Sequence, residues 1–148
     1  SNTPFKKYKK YMHEGGIATP SIWYWPQGIK QPGEFTDGVG HIIDLMPTLR
    51  ELSGVAADGH LPGISLVSLL KRNDIGSLHN RTLYWEHEGN IAIRRGDWKL
   101  VKDKEEPAWA LYNLDNDPTE SRDLSAAYPQ EVHALKDTLD RRIKPIVR

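Results

Sequence analysis

The hydrophobic pattern of the first half indicates short elements separated by long loops. Residues 22–25 form an apolar and aromatic run with a proline on each side, which favours a strand. The segment "PQGIKQPGEFTDG" that follows is rich in glycine and proline and predicts a loop.

A helix is predicted at about residues 44–53. Apolar residues from Ile42 to Leu52 follow helical spacing, and Gly54 is a stop signal. Because Pro47 has no backbone N–H, it fits the first turn, and we expect Asp44 to cap the helix there. A turn and a second short helix follow in "LPGISLVSLLKRND". Up to about residue 76 the chain has the pattern of an α/β fragment, too small for a sheet of its own.

The second half has the pattern of an antiparallel meander. "RTLYWEHEG", "NIAIRRGDWKLVKD" and "AWALYNLDNDP" predict three or four short strands separated by glycine-containing or charged turns. The last segment predicts a helix with one apolar stripe, made of Val132, Leu135, Leu139 and Ile143. A four-stranded antiparallel sheet packed by a C-terminal helix is an α+β subdomain. We therefore predict two regions, residues 1–76 and residues 77–148.

Composition and charge exclude several classes of protein. The chain of 148 residues balances twenty basic against twenty acidic residues, so its net charge predicts neither a nucleic-acid partner nor a membrane partner. No apolar run approaches the roughly 20 residues that span a bilayer, and no targeting signal is recognisable. There is no cysteine, which excludes disulfides and a cysteine-derived nucleophile in this chain.

Five segments follow one another along the chain: "NTPFKKYKKYMHEGGIATPSIWYWPQGI", "HIIDLMPTLRELSG", "LPGISLVSLL", "LYWEHEGNIAIRRGDWKLV" and "LYNLDNDPTESRDL". Together and in this order, they resemble the C-terminal part of arylsulfatase-type sulfatases of the alkaline-phosphatase-like superfamily. The resemblance implies that residues 1–76 end the large catalytic α/β domain and that residues 77–148 form the smaller C-terminal subdomain. It also implies a parent enzyme that hydrolyses aryl or carbohydrate sulfate esters.

The same resemblance implies chemical groups that this chain does not supply. Such sulfatases use a formylglycine nucleophile beside a calcium ion, and neither the nucleophile motif nor the calcium ligands occur here. We therefore expect calcium and formylglycine in the full-length parent, no cofactor bound by this chain, and no activity of the chain alone. The stretch "DNDPTE" only mimics a calcium loop and is interpreted as a turn.

One functional residue is carried over by the resemblance. A lysine five residues before the Glu of the "EGG" element contacts the sulfate in such enzymes, and Lys9 occupies that position before Glu14. A fixed ammonium there would stabilise the negative charge that develops as the S–O bond breaks. The neighbouring Lys6, Lys7 and Lys10 are expected to be solvated, and the two glycines to let the backbone turn sharply.

Other polar residues are weaker candidates. Glu14 is expected to hold the glycine turn through backbone N–H groups. His13, His87 and Glu88 are candidates for the rim of the substrate cleft. Strand alternation would put Glu86 and Glu88 on one face and His87 on the other.

Two alternatives to a sulfatase remain open at this stage. The chain could be the tail of a related phosphodiesterase or phosphotransferase, or a non-catalytic module that binds a glycan or a protein partner. For the sulfatase, the expected partner is a sulfated small molecule or glycan, bound together with the rest of the enzyme. We further expect self-association through apolar surface in residues 17–53, and a periplasmic, secreted or lysosomal parent.

Overall fold

The computed structural model describes residues 2–30, 33–56, 59–71, 76–106 and 108–143. The helices are α1 (Glu14–Ile17), a 3₁₀ turn (Ile42–Asp44), α2 (Leu45–Leu52), α3 (Val67–Leu70), α4 (Gly76–His79) and α5 (Pro129–Ile143). The strands are β1 (Thr82–His87), β2 (Asn90–Arg95), β3 (Trp98–Lys102) and β4 (Ala110–Asn113).

The four strands form one antiparallel sheet in the order β1-β2-β3-β4, which confirms the predicted meander. Strand β1 pairs β2 in the register Trp85↔Ala92, and β2 pairs β3 in the register Ile93↔Leu100. Gly89 and Gly96 have positive φ angles of 84° and 60° in the two tight turns, a conformation that glycine adopts without steric cost.

Helix α5 covers one face of the sheet, as the apolar stripe predicts. Leu135 and Leu139 are buried against one residue from each of the strands β2, β3 and β4, namely Ile93, Leu100 and Leu111. Val132 packs at the edge of this cluster. The side chain of Ile143, the fourth residue of the stripe, lies outside the described residues.

The chain divides into two compact units, and the first twenty residues belong with the sheet. One unit contains Ser1–Pro20 and Thr82–Arg148, and the other contains Ser21–Arg81. The sequence places the division between residues 76 and 77 and assigns the N-terminal segment to the first region. The structure differs because that segment packs on strands β2–β4, far along the chain. The assignment of residues 1–76 to the end of a catalytic domain stays a prediction.

In the unit Ser21–Arg81, the buried carboxylate of Asp44 joins three segments. Its oxygens accept hydrogen bonds from Arg81 Nη1 at 2.7 Å, from the Ile64 N–H at 3.0 Å and from the His41 N–H at 2.7 Å. Burial by itself raises the pKa of Asp44, but the Arg81 hydrogen bond and the two backbone donors lower it below its ordinary value. The carboxylate therefore connects the start of α2 to the loop before α3 and to Arg81.

Helix α2 confirms the predicted helix to within one residue at each end, with Pro47 in its first turn. The predicted cap is different. Asp44 occupies the position before the helix, but its side chain makes no capping bond to α2. The carboxylate instead accepts the backbone N–H of His41 in a capping box around the 3₁₀ turn.

The strand predicted at residues 22–25 is wrong. The backbone there is without regular structure, and none of the described residues pairs with it as a strand. Ile22 and Tyr24 are 95% and 90% exposed. An apolar, proline-bounded run is not enough, because a strand needs a neighbour to satisfy its backbone hydrogen bonds.

One side of α2 is also exposed and apolar. We call it the α2 apolar face, and it consists of Ile42, Leu45, Met46, Leu49 and Leu52. Contiguous apolar surface of this kind marks an interaction site or an aggregation liability. Among the described helices, none is long and apolar enough to cross a membrane.

The Asp44 carboxylate generates a prediction about stability and pH. In Arg81→Met, the buried carboxylate loses its cation, so the free energy of unfolding of this unit should fall by about 3 kcal/mol at neutral pH. Because the pKa of Asp44 is lowered in the fold, its contribution is present above the ordinary value and is lost as pH falls through the lowered one. The penalty of Arg81→Met should therefore shrink in acid. Hydrogen exchange of the α2 amides measures it.

The matched control is Arg50→Met, since Arg50 is only partly buried and its guanidinium makes a solvent-exposed hydrogen bond to the Ala56 carbonyl. This variant should change the exchange rates by far less. Equal effects of the two arginine variants would contradict the central role of the Asp44 carboxylate.

Candidate functional site

Residues 6–14, which we call the lysine loop, lie over the face of the sheet opposite to α5. Strand alternation directs every second side chain of β2 and β3 to this face. Met12 is buried there against apolar residues of β2, β3, β4 and the turn after β4, which are Ala92, Val101, Tyr112 and Leu114. The sheet is thus buried on both faces, by a helix on one and by the lysine loop on the other.

The ammonium of Lys99 on β3 is fully buried under the end of the lysine loop. Its Nζ lies 2.6 Å from Glu14 Oε1 and 2.9 Å from Glu120 Oε1. Glu120 also accepts the backbone N–H of Glu14 at 2.6 Å. Burial raises the pKa of Glu120, and the Lys99 charge offsets this only in part. A buried ammonium needs such compensation, so the pair fixes the chain at Glu14.

The expected structural role of Glu14 holds, but its contact is different. Its carboxylate pairs with Lys99 and does not bind the N–H groups of the glycine turn. The backbone donor in this arrangement is Glu14 itself, and the acceptor is Glu120, which sits at a positive φ of 55°. Sequence reasoning missed Glu120 because it lies 106 residues from Glu14.

Gly15 and Gly16 are needed for close backbone approach and not for a sharp turn. Both lie in α1, and neither has a positive φ. A Cβ at Gly15 would lie 2.4 Å from the Lys6 carbonyl oxygen, and one at Gly16 would lie 2.0 Å from that of Tyr11. The lysine loop therefore folds back onto α1 too closely for any other residue.

The prediction that Lys6 and Lys7 are solvated is wrong. Lys6 Nζ donates to the Tyr112 hydroxyl at 2.7 Å. Lys7 Nζ lies 2.8 Å from Asp103 and 3.1 Å from Glu106. The contact with Asp103 has the larger effect, and together the two carboxylates raise the pKa of Lys7. Both lysines pair with groups of the sheet unit that are about a hundred residues away in sequence, which local charge patterning does not reveal.

Lys10 is partly exposed, as expected, and its Nζ lies over the Tyr11 ring. Lys9 is different from all three of its neighbours. Its side chain is exposed, and among the described residues it has no hydrogen bond, ion pair or ring contact. The residues around it are held by the sheet while its own ammonium projects outward.

His13 lies in the interior and not at an open rim. It is 4% exposed, with Nδ1 3.5 Å from Asp103 Oδ1 and its ring edge-on to Tyr112. Burial lowers the pKa of His13 to about 4, which keeps the ring neutral near neutral pH.

His87 and Glu88 are exposed at the turn between β1 and β2. Glu88 has a φ of 52° because it lies in the turn, so strand alternation no longer applies there. The two side chains consequently approach each other, with His87 Nε2 3.8 Å from Glu88 Oε1. The structure does not bring them into contact with the lysine loop's Lys9, and a role at a cleft stays a prediction.

Asn90 is a second residue that sequence reasoning missed. It is 4% exposed, and its side-chain amide donates to the Lys10 carbonyl at 3.0 Å and to the His87 carbonyl at 3.2 Å. Its Oδ1 accepts the Lys104 N–H at 3.0 Å. The available signal was the alternation in "NIAIRR", which puts Asn90 on the same face as the buried Ala92.

The stretch "DNDPTE" forms a turn, as predicted. Asp117 accepts the N–H groups of Ser121 and Arg122 at 3.0 and 2.9 Å, and these donors hold its pKa below the ordinary value although burial opposes them. In the part of the chain that the structure describes, no group of three or more acidic or histidine side chains could hold a metal ion. The described residues thus do not fit a calcium site.

Comparison with known proteins identifies the family. The family model described as "N-sulphoglucosamine sulphohydrolase, C-terminal" matches residues 5–147. The chain belongs to this family. The resemblance inferred from the five sequence segments is therefore confirmed.

Similar proteins agree with this assignment. A protein named "Sulfatase" from Formosa agariphila is 27% identical over 97% of this chain, and arylsulfatase K from Danio rerio is 30% identical over 95%. The chain spans only 28% of the length of each.

A solved structure of Ps i-CgsB in complex with k-i-k-neocarrahexaose superposes with a TM-score of 0.83. The sequences are 26% identical, and the superposition covers 95% of this chain and 32% of the chain in that structure. A structure of a 2-O GAG sulfatase gives a TM-score of 0.56, with 26% identity, over 69% of this chain and 24% of its own.

The buried Lys99 generates a prediction. In Lys99→Met, Glu14 and Glu120 lose their shared cation, so the fold should lose about 3 kcal/mol at pH 7. The pKa of Glu120 is already raised in the fold, and it should rise further without Lys99. A raised carboxyl pKa means that stability is lost as pH rises, so Lys99→Met should recover stability between pH 7 and pH 5. Denaturant unfolding at both pH values measures this.

Lys102→Met is the control, because Lys102 lies on the same strand but projects to the other face, near Trp109. It should cost little at either pH. A Lys99→Met penalty that is the same at pH 5 and pH 7 would contradict the proposed electrostatic role.

Proposed function

We propose that this chain is the C-terminal part of a sulfatase that hydrolyses sulfate esters. The observation that carries the proposal is the family match over residues 5–147, together with similar proteins named as sulfatases. The chain covers less than a third of those proteins, so the rest of the reaction machinery is assigned to the remainder of the parent protein. Calcium and formylglycine belong, in this proposal, to that remainder.

Within this chain, Lys9 is the residue proposed to bind the transferred sulfate. Its sequence position before Glu14 matches the sulfate-binding lysine of similar enzymes. Its neighbours are anchored to the sheet through Lys6, Lys7 and the Glu14–Lys99 pair, while its own side chain remains exposed. Lys9 thus presents its ammonium on an anchored backbone, with no carboxylate paired to it among the described residues, and such a group stabilises negative charge on sulfate oxygens.

A sulfated carbohydrate is the substrate class that the comparisons favour. Among similar structures, one is bound to k-i-k-neocarrahexaose and another is a 2-O GAG sulfatase. An aryl sulfate is the second option, supported by the similarity to arylsulfatase K. We also propose a periplasmic, secreted or lysosomal location for the parent, on the basis of the resemblance to arylsulfatases.

The test of Lys9 uses the longer protein that carries this chain. Lys9→Ala should lower kcat/KM for a sulfate ester by about 100-fold, since it removes one charge that stabilises the transition state. The 148-residue chain by itself should show no turnover. Hydrolysis rates with a chromogenic sulfate ester and with a sulfated oligosaccharide measure both.

Lys104→Ala is the matched control, because Lys104 is likewise an exposed lysine of the sheet unit. It should leave kcat/KM unchanged. An unchanged kcat/KM in Lys9→Ala would overturn the assignment of Lys9. Binding of a sulfated glycan by the 148-residue chain, with Lys9 dispensable, would instead favour a non-catalytic binding module.

The α2 apolar face predicts association of the 148-residue chain. Its exposed residues would be removed from water if two chains met, or if the rest of the parent covered them. We propose that the chain alone self-associates and that the double variant Met46→Gln/Leu49→Gln weakens this association. Light scattering over a concentration series measures it. Glu51→Gln on the same helix is the control, and a concentration-independent monomer would contradict the proposal.

A further inference from the structure

The bonds of Asn90 connect three separate parts of the sheet unit. Its side chain has two N–H donors and one carbonyl oxygen, and all three groups are used. One donor holds the turn after β1, the oxygen holds the backbone at Lys104, and the other donor holds the lysine loop at Lys10. Because Asn90 is buried, water does not replace these bonds readily.

The bond to Lys10 acts at a strained point of the lysine loop. Lys7 and Lys10 have positive φ angles of 64° and 79°, a region that is sterically unfavourable for a residue with a Cβ. Such conformations persist only where surrounding contacts fix them. Lys7 is fixed by its side-chain pairing with Asp103. At Lys10, the bond to the backbone comes from Asn90.

Lys9 lies between these two fixed residues. Its exposed side chain has no partner among the described residues, so no side-chain contact sets its direction. The direction of its Cα–Cβ bond is set by the backbone on either side. The hydrogen bond from Asn90 to the next residue therefore contributes to where the Lys9 ammonium points.

We propose that Asn90 is a positioning residue for Lys9 and that it acts on sulfate ester hydrolysis through this backbone bond. The inference rests on the proposed function of Lys9. It assigns to a residue of strand β2 a part in catalysis although its side chain is buried. A misplacement of a charged group on the order of 1 Å is enough to lower a rate measurably.

The test is a double-mutant cycle in the longer protein that carries this chain. Asn90→Asp keeps the size and the acceptor for Lys104 but replaces the donors to Lys10 and His87 with a carboxylate oxygen, which repels both carbonyls. We expect kcat to fall about ten-fold with little change in KM. In a Lys9→Ala background the same substitution should cause no further loss, because its effect passes through Lys9.

Leu139→Ala provides the control for a general loss of stability, since Leu139 is buried on the opposite face under α5. Its effect on kcat should be small and equal with and without Lys9. If Asn90→Asp does not fold, Asn90→Ser replaces it in the cycle, with a neutral hydroxyl as donor.

The outcomes separate this inference from the proposed function. If Lys9→Ala alone has no effect, the proposed role of Lys9 fails. If Lys9→Ala lowers kcat/KM but the Asn90 substitution is harmless, or lowers kcat equally in both backgrounds, Asn90 is only structural and the inference is overturned. A loss that disappears in the Lys9→Ala background supports it.

Discussion

The buried ammonium of Lys99, between the carboxylates of Glu14 and Glu120, is the constraint on which the sheet unit depends. A lone buried charge would be expelled or neutralised, so the three groups must stay together. Since they come from residues 14, 99 and 120, their meeting requires that the N-terminal segment, strand β3 and the turn after β4 are all in place. The interaction thus couples the beginning of the chain to its second half.

This coupling explains how the sheet unit presents an exposed cation. The lysine loop is held along its length by contacts of Lys6, Lys7, Met12 and Glu14 with the sheet. Each contact restricts the motion of the side chain that makes it. Of the four clustered lysines, Lys9 is the exposed one whose ammonium has no partner among the described residues. A rigid backbone under a free charge is the arrangement expected for a group that binds an anion supplied from elsewhere.

The unit Ser21–Arg81 is organised by a different principle. It has a buried charge of its own, Asp44 with Arg81, but it leaves the α2 apolar face and the side chains of Ile22 and Tyr24 exposed. Exposed apolar surface is unfavourable in water, and covering it with another polypeptide lowers the free energy. The chain spans only 28% of the length of its relatives, and in the parent sulfatase that we propose, further polypeptide covers this surface.

The sequence by itself determined the elements whose signals are local. These are the meander, with Gly89 and Gly96 in its turns, and the stripe of α5, because period and turn chemistry depend on near neighbours. The position of Lys9, five residues before the Glu of "EGG", could also be recognised from the sequence. Only the tertiary structure decided the partners of Lys6, Lys7 and Glu14, the interior place of His13, the close approach at Gly15 and the roles of Asn90 and Glu120. The approach at Gly15 involves the Lys6 carbonyl in the same loop, but the other features depend on contacts across 80 to 106 residues. No local pattern specifies which distant strand a segment will cover.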